Sequence, residues 1–464
     1  MLNIKNPIQS VANVVEHLHN NVQAAKARAT ISDAVKDLNV PTKYVDLEIQ
    51  FIGALGLPKM DVVGTADPYF HAKLDDKLLY VQVSSVQCNT LSPAWNEVWR
   101  VKNVPTTSNL SIVVLDKDNG APMDDYVGKF DTTVSPGAKE VEIQGPMGLQ
   151  KRGTFWLKID SSPSSGNPSL LPYLFDGPVH FSRHNSPTVG ALTKLRDTRL
   201  YSTWKIYIKG IPRIFGTQVQ PWNRNYKAAQ SIFQGPTSIA VRSGIQAGHR
   251  MLYARTIRNG FGVINTREDV FGLLHGGTHR SPVDGRTSYA HRIKPAVYTY
   301  IIAVDDDSFR FSETGAAFFV DFASKHALHS NCAESVRYSG EFHPRPVGGW
   351  EKFRDDIPDE DVGWELVIDN NSGTYSPDPA LLPKVKEIME FNFSGFNVIA
   401  LSHDAPALKA SVDACRTYAM TRRGITEHEL QPYATKGEET LSHWVSVRRP
   451  EDAAETIRGV LRNK

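Results

Sequence analysis

The chain has 464 residues, of which 41% are hydrophobic and 22% charged. At roughly 150 residues per domain this length predicts two or three domains, and the composition excludes a disordered, collagen-like or coiled-coil chain. Fifty-two Lys and Arg against fifty Asp and Glu leave +2, so overall charge selects neither nucleic acid nor an acidic partner, and no nucleic-acid partner is expected.

The longest apolar stretches, such as 296–304, fall short of the ~20 residues that a membrane-spanning helix needs. The opening Met-Leu-Asn-Ile-Lys-Asn-Pro has neither an apolar run nor a small-residue cleavage site. Cys88, Cys332 and Cys415 are odd in number and far apart, a usage that suits a reducing compartment rather than a disulfide framework. A cytoplasmic protein is expected.

Residues 8–39 lack Pro and Gly and place Ile8, Val11, Val14, Val15, Leu18 and Val22 at helical intervals, which predicts a short N-terminal helical segment over 1–43. Its polar face carries few cations, so packing on the protein's own body is favoured over lying on a membrane. From Tyr44 to Asp160 short alternating runs take over, among them 45–51, 69–74, 79–83, 110–115 and 155–159. Period two with turn residues between the runs predicts an antiparallel all-β sandwich over 44–160. Ser161-Ser-Pro-Ser-Ser-Gly-Asn-Pro-Ser reads as a linker over 161–169. The remainder, 170–464, interleaves helical patterns at 245–257, 316–328, 381–391, 405–420 and 450–461 with strand patterns at 297–304, 336–342, 364–369 and 397–401. That mixture predicts an α/β or α+β domain and a multidomain chain.

Acidic residues of the sandwich gather in two loops: Asp61 and Asp67 in one, Asp116, Asp118, Asp124 and Asp125 in the other. Crowded carboxylates repel, by a few kcal/mol per close pair at an effective dielectric near ~20. A hard divalent cation relieves this, because Ca²⁺ takes ~6–8 oxygen ligands and tolerates mixed carboxylate modes. Val62 and Val63 follow the first acid and Met123 lies between acids of the second loop. Those side chains would stand on the same rim as the ions and could enter a bilayer, each contributing up to ~1.5–3 kcal/mol if fully buried. Residues 44–160 hold eleven Lys and Arg against fifteen Asp and Glu, a net −4, which opposes an anionic leaflet until bound cations offset it.

Three stretches in order, 57–69, 89–99 and 114–128, resemble the successive landmarks of a C2 domain, and Gly153-Thr-Phe-Trp-Leu-Lys-Ile resembles its closing strand. The resemblance implies an antiparallel sandwich of eight strands. It also implies a Ca²⁺ set of five aspartates: Asp61, Asp67, Asp116, Asp118 and either Asp124 or Asp125. The Asp-x-x-Gly spacing selects Asp125, while counting eight from Asp116 selects Asp124. It further implies Ca²⁺-dependent, reversible attachment to anionic phospholipid membranes, with Val62, Val63 and Met123 as contacts.

The C-terminal part resembles only uncharacterised fungal proteins that also carry a C2 domain, and no activity follows from that. Two chemistries remain open in it. His326, His329 and Cys332 recur every three residues and with His343 could hold zinc. Alternatively Cys332 is a nucleophile with His329 or His343 as base and Asp369 or Asn371 orienting it. The bland reading makes Cys332 a small buried hydrophobe and the histidines ordinary hydrogen-bonding groups. Asp305-Asp-Asp307 reads as a solvated turn. Two functions follow: a Ca²⁺-gated module that delivers the C-terminal domain, with its own protein or headgroup partner, to membranes; or a membrane-recruited enzyme of hydrolase or transferase type.

Overall fold

The computed structural model describes residues 43–423 apart from 62–63, 76–80, 84–85, 118–123, 149, 165–171, 186–201, 237, 254–259, 276–278, 281–286, 289–292, 315–323, 355–356 and 358–360. The helices expected within 1–43 and over 450–461 lie outside the described residues.

Eight strands come first: β1 (Tyr44–Leu55), β2 (Pro68–Leu74), β3 (Val81–Val83), β4 (Ala94–Pro105), β5 (Asn109–Asp116), β6 (Asp125–Thr133), β7 (Gly137–Gln144) and β8 (Lys151–Pro163). β5 illustrates why they form, since Asn109-Leu-Ser-Ile-Val-Val-Leu-Asp buries every second residue, as a strand with one face on a core must. The ladder order is β3-β2-β5-β6-β7-β8-β1-β4, and it curls back on itself. Phe70 on β2 and Phe51 on β1 are five places apart in the ladder, yet their ring centroids are 4.8 Å apart; in a flat sheet they would be roughly 24 Å apart. Trp95 and Phe155 close over Phe70 at 4.9 and 5.4 Å, and these rings form the centre of the sandwich core.

β8 runs through Pro163, pairing Leu47 with Ser161, Asp46 with Ser162 and Val45 with Pro163. The first residues expected in the linker are therefore strand. Their side chains are exposed, so a polar composition is no obstacle: the partner strand's backbone is all they require. The sheet then gains a ninth strand, β9 (Leu174–Gly177), on the edge of β4. Phe175 and the more distant Tyr207 join the sandwich core, which thus takes residues from the part of the sequence expected to fold separately.

The strands that follow are β10 (Val179–Asn185), β11 (Ser202–Ile206), β12 (Gln220–Pro221), β13 (Gly260–Ile264), β14 (His279–Arg280), β15 (Thr287–Ser288), β16 (Tyr298–Ile302), β17 (Phe309–Glu313), β18 (Ser335–Val336), β19 (Tyr338–Pro346), β20 (Trp364–Ile368) and β21 (Phe396–Ala400). Eight of them form one sheet in the order β13-β10-β11-β17-β16-β19-β20-β21. β20 and β21 run parallel, joined through the helix Leu382–Asn392; the other neighbours are antiparallel. This is an α+β arrangement.

Its two faces differ. Trp204, Tyr298, Phe309, Phe311, Phe342, Leu366 and Val398 build an apolar core, into which the helix Leu382–Asn392 inserts Val385, Ile388 and Met389. The alternate positions are polar: Ser182, His184, Thr203, Arg310, Ser312, Ser339 and His343, all buried. The helices Ser238–Leu252, Lys325–His329 and Pro406–Arg423 supply polar partners to this second face. Each such group costs about 1–3 kcal/mol if left without a partner, so this face depends on its hydrogen bonds.

Because Phe175 is buried in the first sandwich from outside the expected boundary, Phe175→Ala should destabilise the protein by about 3–5 kcal/mol. Urea unfolding followed by tryptophan fluorescence, with Trp95 and Trp99 in that core, measures it; an unchanged midpoint would remove β9 from the sandwich.

Candidate functional site

The loops between β1 and β2 and between β5 and β6 meet at one end of the sandwich. Register puts Pro68 opposite Asp116 and Asp116 opposite Asp125, so Asp67, Asp116 and Asp125 stand side by side at the ends of three neighbouring strands. The Asp67 N–H donates to Asp116 Oδ1 at 2.5 Å, and the Lys117 N–H donates to the Asp67 carbonyl at 3.1 Å. Asp61 shares the first loop, where the N–H groups of Met60 and Asp61 both reach the Thr65 carbonyl. Asp118, Val62, Val63 and Met123 lie outside the described residues.

Asp124 and Asp125 occupy different surroundings. Lys117 Nζ pairs with Asp124 Oδ1, and the Tyr69 hydroxyl donates to Asp124 Oδ2 at 2.5 Å. Asp125 is exposed, and as Asp116's direct cross-strand partner its side chain leaves the sheet on the same side. Among the described residues no three His, Cys, Asp or Glu side chains converge closely enough to hold a metal; Asp118, between Asp116 and Asp124 in sequence, is not among them.

Sequence reasoning did not assign roles to Lys117, Tyr69 or Asn89. Asn89 joins the rim as a connector: its Oδ1 accepts from the Thr65 N–H and hydroxyl at 3.1 and 3.0 Å, and its own N–H donates to Asp67 Oδ1 at 2.7 Å. Its φ of +52° is one that Asn tolerates better than most residues. An Asn in a turn opposite an acidic loop was the available signal.

In the second sheet the Cys/His centre does not assemble. Cys332 is buried in an apolar cluster with Ile232, Ile245, Leu252 and Leu328, and burial pushes its thiol up to about 11. His329 has both ring nitrogens engaged, Nδ1 with the Tyr253 hydroxyl at 2.7 Å and Nε2 with Ser312 Oγ at 2.9 Å. His343 Nε2 meets Ser411 Oγ at 2.8 Å, and His326 Nε2–H donates to the Gly340 carbonyl at 3.1 Å. Neither His329 nor His343 pairs with the thiol, so the nucleophile reading has no base. The proposed zinc set is not a metal group either. A spacing of three places side chains near one another only along a continuing helix, and here the helix ends at His329.

Asp306 and Asp307 are buried rather than solvated. Burial would raise the Asp306 carboxyl, but Arg310 and Lys205 beside it hold it well below the usual carboxylate range. Asp307 accepts from Arg337 Nε at 2.9 Å, and burial still pushes its carboxyl up to about 6. Asp369, beneath the end of β20, is also raised, by burial and then by Glu341.

Residues 45–149 match the family model of the C2 domain, and this part of the chain is a C2 domain. The chain is 36% identical over 112 residues to Multiple C2 domain and transmembrane region protein 8 of Arabidopsis thaliana, covering 24% of this chain and 11% of that one. It is 32% identical over 94 residues to the E3 ubiquitin-protein ligase NEDD4 of Rattus norvegicus, covering 19% and 10%. The chain thus spans about a tenth of the length of these relatives. Among solved structures, a C2 domain of plant Extended Synaptotagmin 1 matches at 20% identity and TM-score 0.25, covering 27% of this chain and 99% of that one. Human GIVD cytosolic phospholipase A2 matches at 18% identity and TM-score 0.24, covering 31% and 21%. Among the described residues no helix is long and apolar enough to cross a membrane.

Burial holds His249 and His343 down at about 3 and His326 at about 4. Unfolded histidines titrate near 6.5. Above that pH neither state takes up these protons; between about 6.5 and 4 only the unfolded chain does. Stability should therefore fall as pH drops through this window, by about 1.4 kcal/mol per pH unit for each such histidine. Urea midpoints at pH 7.5, 6 and 5 measure the slope, and His249→Gln should flatten it by about one proton. A slope unchanged by that substitution would show that His249 is not held neutral.

Proposed function

We propose that the C2 domain of this chain binds Ca²⁺ at the rim formed by its two acidic loops and thereby attaches the protein to anionic phospholipid membranes. The observation that carries the reading is the alignment of Asp67, Asp116 and Asp125 at the ends of β2, β5 and β6. Carboxylates set at neighbouring strand ends by register are the hard oxygen donors that Ca²⁺ prefers, and Asp61 and Asp118 belong to the same two loops by sequence. The fifth ligand is Asp125 in this reading, because Asp124 is already engaged by Lys117 and Tyr69. Bound Ca²⁺ would supply positive charge and open coordination positions for lipid phosphate oxygens. Val62, Val63 and Met123, at the loop apices in sequence, provide the apolar contribution.

The chain's own residues prepare this rim. The Asn89 N–H fixes one Asp67 oxygen and the Asp67 N–H fixes Asp116 Oδ1, so both carboxylates are oriented by short bonds from a backbone that neither can displace. Lys117 is nearly buried against Asp124 and offsets one charge of the cluster.

Thermal unfolding of the full chain should shift upward with millimolar Ca²⁺ and return with chelator, since an ion that binds only the folded state stabilises it. Asp125→Asn should weaken Ca²⁺ binding at least tenfold in calorimetry, whereas Asp124→Asn should leave it within about threefold and act mainly on stability. Cosedimentation with phosphatidylserine vesicles should require Ca²⁺ and be lost in Asp116→Asn with Asp118→Asn. Val63→Ser with Met123→Ser should weaken pelleting while sparing Ca²⁺ affinity in solution. Wild type pelleting equally in chelator would overturn the gating, and a reversed ranking of Asp124 and Asp125 would overturn the ligand assignment.

A further inference from the structure

The chain's small net charge conceals a segregation. Residues 198–267 hold eleven Lys and Arg and no Asp or Glu, where the chain's average of 50 acids in 464 residues would place about seven or eight. Some of these cations are matched from elsewhere, as Lys205 is by Asp306. Arg224, Lys227 and Arg242 instead gather on one surface with three aromatic rings.

The surface is built on firm backbone. β12 pairs with β18, and the chain continues with the Trp222 N–H on the Glu334 carbonyl at 3.0 Å and the Asn223 N–H on the Thr374 carbonyl at 2.8 Å. Asn223 Oδ1 accepts from the Asn225 N–H at 3.0 Å, and Gln230 Nε2 donates to the Arg224 carbonyl at 2.7 Å. The Trp222 and Phe233 rings stack at 5.3 Å; the Arg224 guanidinium stands 5.9 Å from the first, and that of Arg242, on the helix Ser238–Leu252, 5.9 Å from the second. A guanidinium held by a ring keeps its charge and its N–H edge for another acceptor. Arg242 meets Glu334 only at 4.0 Å, and that carboxylate is 74% exposed. The Tyr226 ring lies over Gly373, where a Cβ would come within 3.4 Å of it. Arg224 and Lys227 are exposed, Tyr226 is 45% exposed, and Ile239, on the same helix face as Arg242 three residues before it, is 71% exposed. That helix packs through Ile245 and Leu252, so its own folding does not call for an apolar residue at 239.

We propose that this surface, with Arg224, Lys227 and Arg242 as its cations and Tyr226 and Ile239 as its apolar contacts, is a second contact with anionic phospholipid membranes, one that needs no Ca²⁺. It goes beyond the Ca²⁺ reading of the C2 domain and does not depend on it. Charge complementarity selects an anionic partner, and the apolar residues select a bilayer over a nucleic acid. Bases need ring faces on which to stack, whereas Trp222 and Phe233 stack on each other and carry the guanidiniums, and an exposed isoleucine has no use against a sugar–phosphate backbone. At a bilayer the three cations meet lipid phosphates, the Tyr226 ring sits at headgroup level and Ile239 reaches the acyl boundary. Each cation near an anionic surface contributes roughly fivefold in affinity, so three hold the protein only where screening is weak. The net −4 of residues 44–160 opposes the same leaflet, so at ordinary salt attachment still waits for Ca²⁺.

The full-length protein carrying Asp116→Asn with Asp118→Asn, kept in chelator, isolates this contact. It should cosediment with phosphatidylglycerol vesicles at about 0.01 M salt and be released at about 0.15 M, as screening dictates, and phosphatidylcholine vesicles should not pellet it. In that background Arg224→Glu with Lys227→Glu, both at exposed positions, should leave the thermal midpoint nearly unchanged and weaken low-salt pelleting at least tenfold. Ile239→Ser should weaken it at least twofold without altering any binding to single-stranded oligo(dT). The proposal is overturned if the chelated protein does not pellet at low salt, if the folded charge-reversal or Ile239→Ser variant pellets like its parent, or if oligo(dT) binds more tightly than the vesicles do. Should the charge reversal not fold, Arg224→Gln with Lys227→Gln replaces it, with at least a fivefold loss expected. Because Ca²⁺ is absent throughout, failure here leaves the Ca²⁺ titration of wild type to stand by itself, and failure of that titration leaves this contact untouched.

Discussion

Arg310 is 2% exposed on β17, and a buried guanidinium is tolerable only where its charge and its donors are met. Its Nη2 reaches both oxygens of Asp305 and one of Asp306, its Nε donates to Ser308 Oγ, and its Nη1 donates to the carbonyl of His329. One side chain thus ties the turn after β16 to the end of the helix Lys325–His329. That helix in turn sets His329 on Ser312, His326 on the carbonyl of Gly340 and Lys325 on the carbonyls of Glu313 and Thr314. Each of these bonds anchors a strand end near Glu341 and Asp369. Removing the Arg310 side chain would leave Asp306 with Lys205 but strip a guanidinium donor from Asp306, Ser308 and the His329 carbonyl, and losing one partner of a buried charge network costs about 3–5 kcal/mol.

The covered polar face explains why the domain tolerates so many neutral histidines. Desolvation opposes their protonation and neighbouring cations add to it: Arg310 for His249, Lys325 for His326, Arg345 for His343. Each neutral ring has at least one nitrogen engaged, by the carbonyls of Leu328 and Gly340 and the hydroxyls of Tyr253, Ser312 and Ser411, and His329 has both. Cys332, a thiol in an apolar cluster with its pKa raised, is inert, and its burial beside Leu328 is a matter of packing.

The first sheet and the second share more than a covalent connection. β9 extends the sandwich at β4, Phe175 and Tyr207 enter its core, and the His180 ring meets the carbonyl of Val98 at 3.3 Å. Tyr173 adds a hydroxyl bond to Asp75 and a second to Ser108 at 3.2 Å. An edge strand exposes unpaired backbone groups, and covering it is a common need of antiparallel sheets. Here the cover comes from the segment that leads into the second sheet, so the C2 sandwich is completed by the residues it introduces.

The amino-acid sequence by itself determined the sandwich, because half-buried strands impose a period of two that is visible residue by residue, as in 109–116. It determined the acidic rim as well, since loop carboxylates at landmark positions are local in sequence, and it located the strands of the second sheet at 298–302, 364–368 and 396–400 almost to the residue. Tertiary structure alone decided the rest. Whether Asp124 or Asp125 faces Asp116 depends on strand register and on Lys117 and Tyr69. Whether Asp306 and Asp307 are solvated depends on Lys205, Arg310 and Arg337 arriving from elsewhere in the chain. Glu341 and Asp369 are 28 residues apart and meet only because β19 and β20 pair with Gly340 between them. Periodicity reports which face a residue takes, but burial of a charge and the meeting of two carboxyls are set by partners distant in sequence, and no local pattern encodes those.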